Sequence, residues 1–167
     1  MSLPKLVSVM MQYFSDVRLS EHAVKAYAYA GSIGEGEALP ADKLLILSAA
    51  AILHDIGIPN AIKLHGSAKG EFQEKEGALL VPDLLKQAGI SSDITDHVAW
   101  LVGNHHTKEQ AANDLLLQIL MEADYLVNLA EGNHPAETVS EISSSFFKTS
   151  TGKEYIKALF NLGGESI

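Results

Sequence analysis

The chain has 167 residues, of which 47% are hydrophobic and 20% charged, a composition typical of a folded globular protein and not of a disordered one. Its 12 basic and 21 acidic residues give a net charge of -9, which disfavours duplex nucleic acid and anionic membranes as partners. Because the chain has no cysteine, disulfides, zinc fingers, iron–sulfur centres and thiol catalysis are excluded.

The apolar pattern predicts an all-α fold of about six to eight helices, since no run of alternating β-branched residues indicates a strand. The predicted helices, in chain order, cover residues 4–14, 20–33, 41–55, 71–88, 92–103 and 113–130, with one or two more in the tail, 135–162. We expect Ser20 to cap the second helix and Pro82 to kink the fourth. Residues 60–70 are predicted to be a loop, because Gly57 and Pro59 should end the third helix. No repeat or long linker divides the chain, which predicts one domain over residues 1–167.

The chain shows no pattern typical of membrane insertion or secretion. Its longest apolar run, residues 44–53, is shorter than the roughly 20 residues that a membrane-spanning helix needs. The N-terminus also lacks a basic region followed by a long apolar stretch and a cleavage site. We therefore expect a cytoplasmic protein that does not bind membranes.

The end of the third helix carries the first candidate site. Residues 44–53 are apolar on every face, which predicts a buried helix, and His54 and Asp55 follow them. A buried carboxylate and imidazole need partners, and a divalent cation would satisfy both. The structural alternative is a histidine that caps the helix beside a solvated aspartate.

A second acidic residue lies in the sixth predicted helix. Asp124 shares a helix face with Leu117, Leu120 and Val127, so it is expected to be buried. Such an aspartate is either hydrogen-bonded within the core or bound to a metal. Glu122 is expected on the opposite, polar face.

Three histidines complete the set of candidate residues. His22 lies on the second predicted helix, and His105 and His106 follow the fifth. The apolar stripe of the fifth helix continues to His105, which predicts that His105 points inward and His106 sideways. A lone histidine on a helix is more often structural than a ligand, so each is weak evidence by itself.

The order of these residues is more specific than any one of them. An inward histidine comes first, then a His-Asp pair after a buried helix, then a histidine pair, then a buried aspartate. The stretches AAAILHDIG, NHH and MEADYLVNL, together with His22, resemble the HD-domain family of metal-dependent phosphohydrolases. The resemblance covers a core of about residues 19–130 and leaves a C-terminal helical extension, 135–162. It implies a helical bundle of the HD type, and residues 63–77 resemble the matching segment of a small bacterial branch of the family.

The resemblance implies a metal centre. By it, His22, His54, Asp55 and Asp124 bind one divalent cation. This ligand set suits Mn, Fe, Co, Ni, Zn or Mg.

The chain departs from the family at a second metal position. Many members use a histidine four residues before a glycine, and here Gln73 precedes Gly77. Glu76 is one alternative ligand; otherwise Gln73 and Glu76 bind substrate or orient the attacking water. His105 and His106 then bind phosphate or complete the second metal site.

A family lysine is also missing. Many members carry it three residues after the His-Asp pair, where this chain has Ile58. Lys63 and Lys69 are expected either to reach over the site and contact substrate or to stay solvated in their loop. Arg18, the only arginine, either binds phosphate through its planar fork or pairs with a nearby surface carboxylate.

These features predict an enzyme that hydrolyses a phosphoester or phosphoanhydride bond of a nucleotide or other small phosphorylated metabolite with metal-activated water. Asp55 is expected to accept a proton, and His105 or Glu76 to protonate the leaving oxygen. Two alternatives stay open: a binding or signalling module with metal but no turnover, and a di-iron oxygenase, against which Gln73 counts. A homodimer through the tail helices is an open alternative to a monomer.

Overall fold

Ten α-helices and no strand form residues 2–162, which are the residues that this computed structural model describes. The helices are Leu3–Phe14 (α1), Val17–Gly36 (α2), Ala41–Leu53 (α3), Ile58–His65 (α4), Gly70–Gln87 (α5), Thr95–Val102 (α6), Lys108–Ala111 (α7), Leu115–Glu131 (α8), Ala136–Ser145 (α9) and Ser150–Phe160 (α10). A short 3-10 helix, Ser92–Ile94, precedes α6. The all-α prediction is confirmed, although the helices outnumber the six to eight expected.

Helix α3 lies at the centre of the bundle. It packs against α1, α2, α6 and α8, and its residues 46–53 are all buried. This agrees with its apolar sequence on every face. The helix ends at Leu53, two residues earlier than expected, so His54 and Asp55 lie in the turn that follows it.

The prediction of a loop over residues 60–70 is wrong, because residues Ile58–His65 form α4. Pro59 occupies one of the first two positions of this helix, where its fixed φ favours helix formation and its missing N–H costs nothing. The helix ends at Gly66, whose φ of 67° is the left-handed conformation of a helix cap. A proline interpreted as a stop signal is therefore the start of the next helix.

The start of α2 also differs from expectation. Asp16, not Ser20, caps α2, since its side chain accepts hydrogen bonds from the amides of Arg18 and Leu19. Pro82 lies inside α5, as expected. Asp114 caps α8 in the same manner as Asp16 caps α2.

Glu122 shares the polar face of α8 with Gln118, as expected, but that face is buried. Glu122 is fully buried, and its carboxylate accepts hydrogen bonds from Gln118, from the Lys148 and Thr149 amides and from the Thr149 hydroxyl. The C-terminal extension covers this face of α8, which a helical wheel of α8 alone does not reveal. Glu122 thereby ties the segment between α9 and α10 to the core.

No single helix within residues 2–162 is long and apolar enough to cross a membrane. Helices α3 and α4 pass that test only when joined, as a pair bent by 42°.

Candidate metal centre

Four segments that are distant in sequence bring histidines and aspartates to one point beside α3. His22 comes from the middle of α2, and Asp124 from the middle of α8. His54 and Asp55 come from the turn after α3, and His105 from the turn after α6. His22, His54, His105 and Asp124 are buried.

His22, His54, Asp55 and Asp124 form the inner cluster. The Nε2 atom of His22 lies 3.0 Å from Asp124 Oδ1 and 3.6 Å from Asp55 Oδ2. The Nε2 atom of His54 lies 3.4 Å from each of the same two oxygens. Two imidazole nitrogens and two carboxylate oxygens thus face one another, and each nitrogen lies within 3.6 Å of both oxygens.

Backbone and side-chain contacts orient both imidazoles of this cluster. His54 donates from Nδ1 to the carbonyl of Ala51 at 2.9 Å, so its Nε2 faces the carboxylates. His22 donates from Nδ1 to Glu131 Oε2 at 3.0 Å. Such a partner on the remote nitrogen is the usual support of a metal-binding histidine, because it sets the tautomer and the ring orientation.

The inner cluster fits a divalent cation. His54 Nε2 is buried and has no hydrogen-bond partner within residues 2–162, an arrangement that is costly unless another group binds it. Imidazole nitrogens and carboxylate oxygens together suit divalent transition metals. His22, His54 and Asp124 offer three such ligand atoms within 4.8 Å of one another.

A second group adjoins the first through Asp55. Its Oδ1 atom lies 3.5 Å from His105 Nε2, while its Oδ2 atom faces the inner cluster. His105 donates from Nδ1 to the carbonyl of Val102 at 2.7 Å, and its Nε2 is a second buried nitrogen with no hydrogen-bond partner among the described residues. Asp55, His105 and His106 also lie close enough to share an ion. Asp55 is thus placed to bridge two positions.

The glycine after the His-Asp pair permits a close approach of two backbones. Gly57 has an ordinary helical φ, but a Cβ atom there would overlap the carbonyl of Gln73 and lie 2.5 Å from the amide of Gly77. Helix α5 therefore presses directly on the turn that carries Asp55. A side chain at position 57 would push the two apart.

Gln73 and Glu76 lie on α5 but outside both clusters. Gln73 donates from Nε2 to the carbonyl of Ala68, and its Oε1 is buried without a partner within residues 2–162. Glu76 is buried and lies 2.9 Å from His65 Nε2. Burial and the charge of Glu76 raise the pKa of Tyr13.

The cationic residues considered for the site are all exposed. The Arg18 side chain is 93% exposed and lies 3.9 Å from Asp16, the surface pair considered as its alternative. Lys63 and Lys69 are both exposed on the segment between α3 and α5. The residue after Lys69, Gly70, packs against the ring of His106.

Mutual charge shifts the pKa values within the cluster. Burial alone lowers the pKa of His54, but Asp55 and Asp124 outweigh it and raise that pKa to about 9. Burial alone would raise the pKa of Asp124, but its hydrogen bond with His22 and the nearby His54 outweigh burial and leave that pKa far below the usual range. The His54 charge likewise lowers the pKa of Asp55. At the rim, burial and His105 lower the pKa of His106.

Sequence reasoning did not identify several residues that surround the clusters. Glu131 supports His22 and also pairs with Lys25 at 2.9 Å, and Asn128 donates to Asp124 Oδ1 at 2.8 Å. Asn128 and Glu131 lie one and two turns after Asp124 on the same face of α8, so helical spacing was the available signal. Glu74 accepts from the His106 amide at 2.7 Å, a contact between segments that no local pattern indicates.

Comparisons with known proteins agree with this geometry. A family model described as "HD domain" matches residues 19–129. The fold is similar to the crystal structure of a predicted HD superfamily hydrolase from an uncultured Thermotogales bacterium, with a TM-score of 0.68 and 20% identity, over 95% of this chain and 84% of that one. No protein with a curated description matches the chain. From the ordered ligand motif, the helical bundle and the family match, we conclude that the chain belongs to the HD-domain family, a superfamily of metal-dependent phosphohydrolases.

Proposed function

We propose that the protein hydrolyses a phosphoester or phosphoanhydride bond in a nucleotide or other small phosphorylated metabolite. The observation that carries this proposal is the convergence of His22, His54, Asp55 and Asp124 with a buried, unpartnered His54 Nε2. These four side chains would hold a divalent cation. When bound, such a cation lowers the pKa of water, polarises a phosphoryl group and neutralises part of its charge.

Electrostatics support a cation in this site. The chain carries a net charge of -9, so its overall field repels a phosphorylated substrate. A local positive charge at the cluster reverses that effect where the substrate binds.

Asp55 and His105 are the proposed acid–base residues. Asp55 Oδ1 faces away from the inner cluster and accepts a proton from the attacking water. His105 donates a hydrogen bond from Nδ1 to the Val102 carbonyl. Its Nε2 is therefore the atom that gives a proton to the leaving oxygen. Glu76 is the less favoured acid, because it is engaged by His65. His106, at the exposed rim, contacts the substrate.

The test combines metal analysis with phosphate release. The purified protein and its Asp55→Ala and Asp124→Ala variants are analysed for bound metal, then assayed against a panel of phosphorylated metabolites. We expect bound metal and turnover in the parent, and loss of both in the two variants. Asp96→Ala, which removes an exposed carboxylate from α6, is the matched control.

Other outcomes distinguish the alternatives. Metal that binds without turnover of any panel compound would favour a binding or signalling module. The adjoining Asp55, His105 and His106 group supports a di-iron oxygenase as the second candidate, since that chemistry needs two metal positions. Two irons per chain with oxygen consumption would favour it over hydrolysis.

A further inference from the structure

A small cavity opens between the turn after α6 and one face of α8. It has a volume of about 170 Å³, and its wall includes Asp124, His105 and His106 from the two clusters. The rest of its wall is formed by Lys108, Met121, Tyr125 and Asn128. The cavity is smaller than the roughly 300–1,000 Å³ that usually encloses a drug-sized ligand, so it suits a phosphoryl group with a few further atoms.

Lys108 is the cationic side chain on this wall. Its Nζ lies 5.3 Å from the ring centres of both Tyr125 and Phe146. These rings are 4.6 Å apart and tilted by 50°, and together they form a cradle under the amine. A cation on aromatic faces is attracted by their quadrupoles while its outward N–H groups stay available.

The charge of Lys108 is not neutralised by a neighbouring carboxylate. Within residues 2–162, no aspartate or glutamate oxygen lies within 4 Å of its Nζ. Lys25, on the other side of the site, contrasts with it because Glu131 pairs with that amine. Lys108 therefore presents a positive charge without a close ion-pair partner among the described residues, on the wall of a cavity in an acidic protein.

The C-terminal extension builds half of this cradle. Phe146 caps α9, and its carbonyl accepts a hydrogen bond from Gln118 on α8 at 3.1 Å. Two residues later, the Lys148 amide donates to the buried Glu122 at 2.6 Å. These bonds hold the Phe146 ring against Tyr125, so the extension reaches the rim of the metal site.

We propose that Lys108 binds a phosphate oxygen of the substrate at the mouth of this cavity, and that Tyr125 and Phe146 are positioning residues for its amine. The inference takes its ligand class from the proposed function. It narrows the substrates to compounds with an accessible phosphate that fits between the His-Asp clusters and Lys108, with the remainder of the compound outside. It also assigns the extension a place in substrate binding.

The test measures binding of inorganic phosphate by isothermal titration calorimetry at low ionic strength, on the full chain loaded with Mn²⁺. We expect Lys108→Met to weaken phosphate binding about tenfold or more, as for loss of a charged hydrogen bond. Lys108→Arg should stay within about threefold of the parent, because it keeps the charge. Phe146→Leu should weaken binding by a smaller factor than Lys108→Met. Lys86→Met, an exposed lysine on α5, is the control and should leave affinity unchanged.

The outcomes separate this inference from the proposed function. Equal phosphate affinity in the parent and Lys108→Met, or no phosphate binding by the parent, overturns the role of Lys108. If the parent nevertheless hydrolyses a phosphorylated compound, the proposed function stands without it. Phosphate binding that depends on Lys108 in a protein without turnover supports the inference and counts against the hydrolase. Melting curves and bound Mn²⁺ are compared across the variants, so that a misfolded variant is recognised.

Discussion

Glu131 accepts a hydrogen bond from His22 Nδ1 at 3.0 Å and thereby turns the Nε2 atom of His22 toward Asp124. The two residues are 109 positions apart, on α2 and α8. The bond links the helix that supplies the first imidazole to the helix that supplies the second carboxylate.

The first prediction follows from this support. Glu131→Ala should lower metal affinity by about 10- to 100-fold, because His22 loses the partner that orients its ring. Glu131→Gln keeps an acceptor and should lower it less. Competition with a chelator measures the affinity, and Glu154→Ala, an exposed carboxylate on α10, is the control. An affinity of Glu131→Ala equal to that of the control would contradict the assignment.

The second prediction concerns pH and the stability of metal-free protein. The pKa of His54 is about 9 in the folded chain against an ordinary value of 6.5, so its protonated form stabilises the fold. This contribution is fully present below pH 6.5 and is lost as the pH rises to about 9. In EDTA, the free energy of unfolding should fall over that interval by up to about 3 kcal/mol.

Bound metal should abolish that decrease, because it replaces the proton on His54. Urea unfolding at pH 6.5, 7.5 and 9, with EDTA or with Mn²⁺, checks both statements. His54→Gln should reduce the pH dependence in EDTA and leave the part due to His22, whose hydrogen bonds to Asp124 and Glu131 outweigh burial and raise its pKa. His97→Gln, on α6, should retain the full dependence. The same decrease in metal-loaded protein would argue against His54 as a ligand.

The third prediction compares two glycines. Gly57→Ala should destabilise the protein by about 1–3 kcal/mol or more, since its methyl would meet the α5 backbone, which cannot move away as a side chain can. Gly31→Ala, within α2 and with no atom near its added Cβ, should stabilise it by about 0.5–1 kcal/mol. Thermal and urea unfolding measure both. Similar effects at the two sites would refute the close packing of α5 on the turn after α3.

The fourth prediction addresses the buried Glu122. Glu122→Ala leaves the Lys148 and Thr149 amides without their acceptor, and each unsatisfied buried donor costs about 1–3 kcal/mol. The expected loss of unfolding free energy is therefore about 3 kcal/mol, with faster proteolysis between α9 and α10. Glu141→Ala, an exposed glutamate on α9, should have little effect. A loss below about 0.5 kcal/mol would show that Glu122 does not hold the extension.

Local sequence patterns predicted the burial of the site better than its surroundings. The apolar stripe of α8 placed Asp124 inside, and the stripe of α6 placed His105 inside and His106 at the rim, as the structure has them. Both inferences depend only on helical spacing, which stays the same when the predicted ends of a helix are wrong by a few residues. Glu122 was misjudged because its cover comes from the tail, and the wheel of one helix does not include it.

The sequence by itself determined the all-α class, the buried third helix and the ordered histidines and aspartates of an HD-type centre, because these depend on residue type and helical periodicity. Only the tertiary structure decided which charged groups surround that centre. It leaves Arg18, Lys63 and Lys69 exposed and places Lys108 on the wall of the cavity beside the metal centre. It also makes Glu131 the hydrogen-bond partner of His22 and Glu122 the link between α8 and the C-terminal extension. The physical reason is that contacts between distant segments depend on how helices pack, and an exposed lysine carries no local signal of the cavity beside it.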